Sequence, residues 1–335
     1  MTPFRHVRNL GKGAFSHVCL EHDEGLDRLV AAKYLDVDWI FSTEFTEAQA
    51  MLLGSADNVV EVYSTDLTEA GDRVIRMEYL PNGSVADKYG RDPVPVTDAL
   101  RIMEAACRGV EHIHAAGLLH RDIKPANLLL DDDHVVKVSD FGLACGTHEG
   151  ADAPFGYYAH LPPESRSSQT ITNTVGDVYA LGVTAYRLLN GDRRVRGLLD
   201  GKPASNLTSR DWQPYIHRSL RQAVGNALKA DPSKRIATAS DFRYKLEIAR
   251  PLVSWHPAPD NENKWLGQHL LNASNWQAEI VPPNPNGSNF TFEVRRQLRG
   301  KTFRKMGDST GRFDSINGAL SHAASVLQRI ATTGK

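Results

Sequence analysis

The segment from His120 to Leu130, HRDIKPANLLL, places an acid, two bases and an amide directly before a run of three leucines. The carboxylate of Asp122 can accept or orient a hydroxyl proton, and Asn127 can offer an oxygen to Mg²⁺. Lys124 can neutralise a migrating phosphoryl group. The leucines predict a short strand that holds this polar loop against the core. The alternative is a solvated loop before a strand, so the interpretation depends on partners from other segments.

Two segments nearer the N-terminus supply candidate phosphate-binding groups. In LGKGAFSHV, Gly11 and Gly13 lack a Cβ and let backbone amides approach a phosphate, although a plain hairpin turn is the alternative. Lys33 follows in VAAK, on a predicted strand that would place its ammonium group beneath the glycine turn. Glu47, on the predicted helix after that strand, is the candidate partner of Lys33.

A third segment, SDFGLA, supplies Asp140 between an extended run and a flexible glycine. Taken alone, Asp140 is an ordinary turn aspartate. With Asp122, Lys124 and Asn127 it forms a set in which oxygen ligands can hold Mg²⁺ and a lysine can offset phosphate charge. The combination favours phosphoryl transfer over a solvated loop.

The composition is that of a globular protein of 335 residues, 41% of them hydrophobic and 24% charged. The net charge of −1 argues against affinity of the whole chain for nucleic acid or membrane, although residues 255–335 hold ten Lys/Arg against six Asp/Glu. The three cysteines lack metal-binding spacing and favour reduced thiols over a disulfide framework. With no long apolar run and no signal-peptide core, we expect a cytoplasmic protein without a membrane partner.

The periodicity of the chain predicts an α+β fold with two lobes in residues 1–250. Strand patterns predict a β-rich N-lobe over residues 1–80, interrupted by one helix within residues 42–56. From Val96 onward, helical spacing predicts a larger helical C-lobe over residues 81–250. The Pro/Asn-rich stretch at residues 251–264 is expected to be a linker.

The motifs, taken in order, resemble those of eukaryotic-type protein kinases, and the short interval between Lys33 and Glu47 is similar to that of bacterial serine/threonine kinases. The resemblance covers about residues 1–250 and implies the protein-kinase fold. It also implies phosphoryl transfer from ATP, with Mg²⁺, to serine or threonine of protein substrates, including the chain itself. The motifs that carry it are LGKGAFSHV, VAAK, TEAQ, MEYLPNGS, HRDIKPAN, DFG, PPE, GDVYALGV and DPSKR.

The resemblance also implies an ATP site. Lys33, held by Glu47, would pair the α- and β-phosphates. Backbone groups of Glu78 and Leu80, which follow the gatekeeper residue Met77 in the chain, would bind the adenine ring. The full set of ATP-binding residues that it implies is Leu10, Gly11, Lys12, Gly13, Ala14, Phe15, Ser16, His17, Val18, Ala31, Lys33, Glu47, Glu78 and Leu80.

The same resemblance implies a catalytic loop in HRDIKPAN. Asp122 would be the catalytic base and Lys124 its partner on the phosphate side. Asn127 belongs to the same catalytic set, and Asn127 and Asp140 would be the metal ligands.

Three further residues resemble structural positions of the family. Asp177 resembles the helix aspartate that braces the backbone of the catalytic loop. Glu164 and Arg235 resemble an ion pair that fixes the end of the activation segment, and breaking such a pair costs about 3–5 kcal/mol when it is buried.

Two positions depart from the family pattern. Ser16 replaces the third glycine of the loop, a change that the family tolerates. Tyr157 stands seven residues before Glu164, where such kinases usually carry a threonine that contacts the catalytic aspartate and lysine. The alternatives are therefore a catalytically weak scaffold or a small-molecule phosphotransferase of related fold. Lys124 and the PPE segment argue against the phosphotransferase.

Residues 265–335 are expected to form a small α/β domain that folds separately, with the order helix, strand, strand, strand, helix. This order is weakly similar to that of double-stranded-RNA-binding domains, but Ile316 and Asn317 stand where those domains carry lysines. That departure favours a protein-docking or dimerising module over RNA binding. If the domain binds RNA, the predicted contacts are Arg295, Arg299, Lys301, Arg304 and Lys305.

Overall fold

The computed structural model describes residues 4–12, 16–35, 55–68, 71–140, 160–165, 173–199, 207–285 and 287–335. The chain forms two compact units. The first consists of Met1–Gly90, Ala105–Leu181 and Ala237–Ser240. The second consists of Arg91–Glu104, Gly182–Ile236 and Asp241–Lys335.

The first unit contains an antiparallel sheet of five strands in the order β1-β2-β3-β5-β4, which confirms the predicted β-rich N-lobe. In β3 and β5 the apolar residues other than Leu29 are buried, as expected of strands that lie inside a sheet. The helix predicted within residues 42–56 lies almost wholly outside the described residues. The strands are β1 (Phe4–Lys12), β2 (Ser16–Asp23), β3 (Arg28–Leu35), β4 (Val62–Leu67) and β5 (Arg73–Glu78).

The predicted helical C-lobe is also confirmed. Ser84 caps the N-terminus of helix α1 (Val85–Tyr89) and forms a capping box with Asp87. A short hairpin of β6 (Leu128–Leu130) and β7 (Val136–Val138) follows the polar loop of the sequence motif. The longer helices are α2 (Val96–Ala115), α3 (Thr174–Asn190), α4 (Asp192–Leu199), α5 (Arg218–Ala227) and α6 (Ala239–Ile248). Among the described residues, no helix is both long enough and apolar enough to cross a membrane.

The C-terminal part of the second unit is an antiparallel sheet with one helix. Its strand order is β12-β11-β10-β9-β8, and β13 pairs with β11. The core of this sheet includes Trp255, Trp265 and Trp276, all buried. The elements are β8 (Val253–Ala258), β9 (Asn261–His269), β10 (Asn275–Val281), β11 (Phe290–Gln297), β12 (Arg304–Lys305), β13 (Gly311–Phe313) and α7 (Ile316–Thr333).

Two expectations about this region are wrong. Residues 251–264 are not a linker, because β8 and the first half of β9 lie there, and β9 also replaces the predicted first helix of the C-terminal domain. Of the Pro/Asn residues that suggested a linker, Pro257 lies near the end of β8, Pro259 lies in the tight turn, and Asn261 and Asn263 lie at the start of β9. Because β8 is an edge strand, it tolerates Pro257, which has no N–H to donate.

The C-terminal sheet and helix α7 also make hydrogen bonds to other segments of the same compact unit. The Oγ1 atom of Thr97, in α2, lies 2.9 Å from Oγ of Ser254, in β8. The side chain of Gln328, in α7, donates to the carbonyl of Pro214 at 2.9 Å. Separate folding of residues 265–335 therefore stays a prediction.

Candidate active site

The polar loop is held by the first turn of helix α3. The buried carboxylate of Asp177 accepts hydrogen bonds from the backbone N–H groups of His120 at 2.9 Å and Arg121 at 2.8 Å. Nε2 of His114 lies 2.8 Å from the same carboxylate. Arg121 has a φ of +68°, so these contacts hold a residue without glycine's freedom in a left-handed conformation. The geometry is the one that the predicted bracing role of Asp177 requires.

Asp122 lies inside this loop with its two carboxylate oxygens in different surroundings. Lys124 donates to Oδ2 at 2.7 Å, and Nδ2 of Asn127 donates to the same oxygen at 2.9 Å. Oδ1 is buried and has no hydrogen-bond partner among the described residues. A buried acceptor without a partner is costly, so Oδ1 is the atom expected to receive a donor from a bound molecule.

Lys33 of β3 reaches Asp140, which follows β7. Nζ of Lys33 lies 2.9 Å from Oδ1 of Asp140. Burial alone would raise the pKa of Asp140, but the charge and the hydrogen bond of Lys33 outweigh it and hold that pKa below its usual value. Glu47, the predicted partner of Lys33, lies outside the described residues, so Asp140 is the partner that the structure places beside it.

The two predicted metal ligands are linked through Ser139. Both the backbone N–H and the hydroxyl of Ser139 donate to the carbonyl of Asn127, at 2.9 and 3.1 Å. The side-chain nitrogen of Asn127 is held by Asp122, which leaves its oxygen for a metal ion. An amide oxygen and an ionised carboxylate are ligands that Mg²⁺ accepts, so Asn127 and Asp140 fit this ion.

The predicted phosphate-binding loop is only partly described. Leu10, Gly11 and Lys12 end β1, Ser16, His17 and Val18 begin β2, and Gly13, Ala14 and Phe15 between them lie outside the described residues. Apart from its two chain neighbours, no atom of the described residues lies within 4 Å of the position that a Cβ on Gly11 would take. The described residues therefore leave space for a ligand beside Gly11.

The side chain of His17 faces away from Lys33. Its ring stacks on Tyr34 with a centroid separation of 4.9 Å, and Tyr34 and Lys33 are neighbours in β3, so they point to opposite faces of the sheet. A cavity of about 720 Å³ opens on that outer face, lined by Gly11, Lys12, His17 and Tyr34 among others. This cavity is therefore not the predicted adenine site, to which His17 can contribute only backbone atoms.

The predicted adenine-binding segment begins at the end of β5. Ala31 lies opposite Met77 in the sheet, and both are buried, as is Leu80. The backbone N–H of Glu78 donates to the carbonyl of Glu61 at 2.9 Å, so this N–H is not available to a ligand.

Two partners of the site were missed by the sequence analysis. Lys137, in β7, places Nζ 2.8 Å from each carboxylate oxygen of Glu78. His114, in α2, contacts Asp177. For Lys137 the sequence did carry a signal, because it lies between Val136 and Val138, which are buried. A strand residue between two buried neighbours points to the opposite face, out of the core. For His114 the sequence carried no comparable signal.

Glu164 and Arg235 belong to different compact units, and their predicted ion pair stays a prediction. Arg235 is buried, and its guanidinium group donates to the carbonyls of Lys229 at 2.9 Å and Ala230 at 3.3 Å. Glu164 is half-buried in a short turn of 3-10 helix. Tyr157, the main departure from the family pattern, lies outside the described residues.

The chain is similar to known proteins over most of its length. A family profile described as protein kinase domain matches residues 4–244. The chain is 30% identical over 303 residues to the serine/threonine-protein kinase drp72 of Corynebacterium efficiens, covering 83% of this chain and 54% of that protein. It is 31% identical over 264 residues to the serine/threonine-protein kinase PrkC of Bacillus subtilis, covering 73% of this chain and 40% of that protein.

A human relative is more distant. The chain is 26% identical over 280 residues to the serine/threonine-protein kinase H1 of Homo sapiens, covering 78% of this chain and 64% of that protein. The chain spans about half the length of the bacterial relatives it matches. The C-terminal sheet, from Val253 onward, lies beyond the part that the family profile matches.

Proposed function

We propose, since the chain belongs to the protein kinase family, that it transfers the γ-phosphoryl group of ATP to serine or threonine hydroxyls of protein substrates. The observation that carries the proposal is the carboxylate of Asp122. One of its oxygens is held by Lys124 and Asn127, and the other is buried without a partner among the described residues. That arrangement suits a group that must orient a hydroxyl in a fixed direction.

Asp122 is the proposed catalytic base. Its Oδ2 is fixed by two donors, so the carboxylate cannot rotate freely, and Oδ1 accepts the hydrogen bond of the attacking hydroxyl. Asp177 keeps this geometry in place, because it binds the backbone at the two residues before Asp122. In protein kinases the reaction depends mainly on such positioning and on charge stabilisation.

Lys33, Asn127 and Asp140 are the proposed groups for the phosphates and the metal. When bound, ATP supplies the phosphoryl group and Mg²⁺ offsets the charge of its phosphates. Asn127 and Asp140 would hold the metal ion by their side-chain oxygens. Lys33, 2.9 Å from Asp140, would hold the phosphates beside it. The lowered pKa of Asp140 keeps this ligand ionised near neutral pH.

Lys124 supports a serine or threonine acceptor. It lies two residues after Asp122 and 2.7 Å from its carboxylate, so it can offset phosphoryl charge next to the base. Related small-molecule phosphotransferases usually lack a lysine at this position. The chain itself is included among the proposed substrates.

A cytoplasmic location is part of this proposal. Cys19 is buried and its sulfur is not part of a disulfide, and such thiols are typical of proteins from reducing compartments.

The proposal is tested by transfer of radiolabelled phosphate from ATP to the protein itself and to casein. We expect Mg²⁺-dependent transfer that the Asp122→Asn variant lowers by about 100-fold or more, because general base catalysis is worth at least that much. Asp133→Asn is the matched control, since Asp133 is an exposed aspartate of the nearby turn between β6 and β7. ATP binding without any transfer would instead indicate a scaffold.

A further inference from the structure

The hairpin formed by β11, β12 and the turn between them concentrates positive charge. Residues 290–305 carry six Lys/Arg against one Asp/Glu, whereas the whole chain carries 39 against 40. In the register of the hairpin Arg295 lies opposite Lys305, and Arg296 lies opposite Arg304. Like charges directly opposite each other destabilise a strand pair, so folding alone does not account for this arrangement. We call residues 290–305 the basic hairpin.

Only part of this charge is compensated within the protein. Glu293 accepts hydrogen bonds from Lys305 at 2.8 Å and from Arg295 at 3.1 Å, and the bond from Lys305 helps to hold the pKa of Glu293 below its usual value. The guanidinium group of Arg296 lies over the ring of Trp276, 4.9 Å from its centroid. Both faces of the basic hairpin therefore carry cations, since Arg295 and Arg296 are adjacent in the strand.

The remaining cations are exposed. Arg299 and Lys301 lie in the turn, and Arg304 lies in β12. None of these three has an acidic partner among the described residues. Beside them, Phe303 is 41% exposed. An exposed aromatic ring among unpaired cations is the combination that binds bases by stacking and phosphates by charge.

A polar cleft adjoins the basic hairpin. It has a volume of about 540 Å³ and shares Glu293 and Lys305 with the hairpin. The rest of its lining includes Arg312 and the uncharged polar side chains of Asn284, Asn289, Thr291 and Thr310. Amide and hydroxyl groups can hydrogen-bond the edges of bases and sugars, and the charge of Glu293 is already offset by two cations.

We propose that the basic hairpin and this cleft bind single-stranded nucleic acid. Regularly spaced phosphates would neutralise cations on both faces of the hairpin, while Phe303 stacks on a base and the cleft receives a neighbouring nucleotide. An acidic protein segment would instead favour an apolar pocket for an anchoring side chain, and the cleft is lined mainly by polar groups. A single strand fits better than a duplex, because only unstacked bases can reach an aromatic ring.

The test is fluorescence anisotropy of labelled oligouridine with the full chain at several salt concentrations. We expect binding that weakens as salt rises. The Arg299→Glu/Lys301→Glu variant should bind at least about tenfold more weakly and lower the slope of log affinity against log salt by about 1.4, since each phosphate contact in a single strand contributes about 0.7. Phe303→Ala should weaken binding about tenfold, the scale of one base–aromatic stack, with the salt slope unchanged.

The matched control is Arg218→Glu/Lys229→Glu, which makes the same change of charge at two exposed residues outside the basic hairpin. This control should bind oligouridine like the unchanged protein, and all variants should keep their thermal unfolding temperature. The proposal is overturned by absence of binding at low salt, or by equal loss of affinity in the control. If the protein bound an RNA duplex or polyglutamate more tightly than oligouridine, the proposal would also be overturned and the surface would be assigned to that partner.

Discussion

Lys137 holds both carboxylate oxygens of Glu78 at 2.8 Å, and this contact joins the short β6–β7 hairpin to the end of strand β5. Both side chains are mostly buried, at 17% and 23% exposure. Glu78 begins the segment whose backbone is proposed to bind adenine. Lys137 is therefore a positioning residue for that segment and does not itself contact the reacting atoms.

Replacing Lys137 by Met should loosen the adenine-binding segment. We expect the KM for ATP to rise about tenfold while kcat changes little, because the catalytic loop keeps its own contacts, and tenfold corresponds to about 1.4 kcal/mol of binding. Steady-state kinetics with varied ATP measure both constants. Lys137→Arg keeps the charge and should restore most of the affinity, whereas equal losses in both variants would contradict a role through Glu78.

The pair of Lys33 and Asp140 predicts a pH-dependent stability. The pKa of Asp140 in the folded chain lies below its usual value of 3.8, so the stabilisation from its ionised form is present above that value and is lost as the pH falls through the lower folded pKa. In Lys33→Met, the cost of burying the charged carboxylate of Asp140 is no longer offset by the charge and the hydrogen bond of Lys33. The variant should be less stable than the unchanged protein at neutral pH.

The difference in stability between the unchanged protein and Lys33→Met should narrow as the pH falls through 3.8 toward the lower folded pKa of Asp140. Below that pKa the carboxyl group is protonated in both proteins. Urea unfolding between neutral and acidic pH measures this difference. Lys229→Met, at an exposed lysine, is the control. A difference that stays constant with pH would show that Lys33 stabilises the fold through packing alone. The same Lys33→Met protein should also lose ATP-dependent phosphoryl transfer.

Asp177 should be needed for stability as well as for activity. Asp177→Ala leaves two backbone N–H groups of the catalytic loop without their acceptor, and each such buried group costs about 1–3 kcal/mol. We expect the free energy of unfolding to fall by about 2–6 kcal/mol, measured with urea. Asp133→Ala, in an exposed turn, should have little effect. An Asp177→Ala protein that is fully stable yet inactive would mean that Asp177 acts on the reaction directly.

The hydrogen bond between Thr97 and Ser254 predicts that the C-terminal sheet contributes to the stability of its unit. A double-mutant cycle of Thr97→Val and Ser254→Ala should give a coupling energy of about 1 kcal/mol, the usual net value of one such bond. A chain that ends at Pro251 loses this bond and the one between Gln328 and Pro214, so it should unfold at lower urea. A coupling energy of zero with unchanged unfolding of the shortened chain would support the predicted separate domain.

Local patterns predicted much of the kinase part. Helices such as α2 follow from the spacing of their apolar residues, because that spacing sets which face is buried. Strands such as β3 follow from their apolar and aromatic residues. The residues of the proposed active site were also predicted, since Asp122, Lys124 and Asn127 lie within one short loop. Residues so near to one another in the sequence cannot lie far apart in the structure.

Only the tertiary structure decided the contacts between distant segments. Lys137 meets Glu78 across 59 positions, and His114 meets Asp177 across 63, and no local periodicity records which distant strand or helix will lie opposite. The C-terminal sheet was also decided by tertiary structure. Prolines and asparagines at 257–263 suggested a linker, but β8 pairs with β9 and this pairing buries Trp255 and Trp265. The free energy gained by that burial outweighs the local preference for a turn. The facing cations of the basic hairpin likewise depend on strand register, which forms only when β11 and β12 pair.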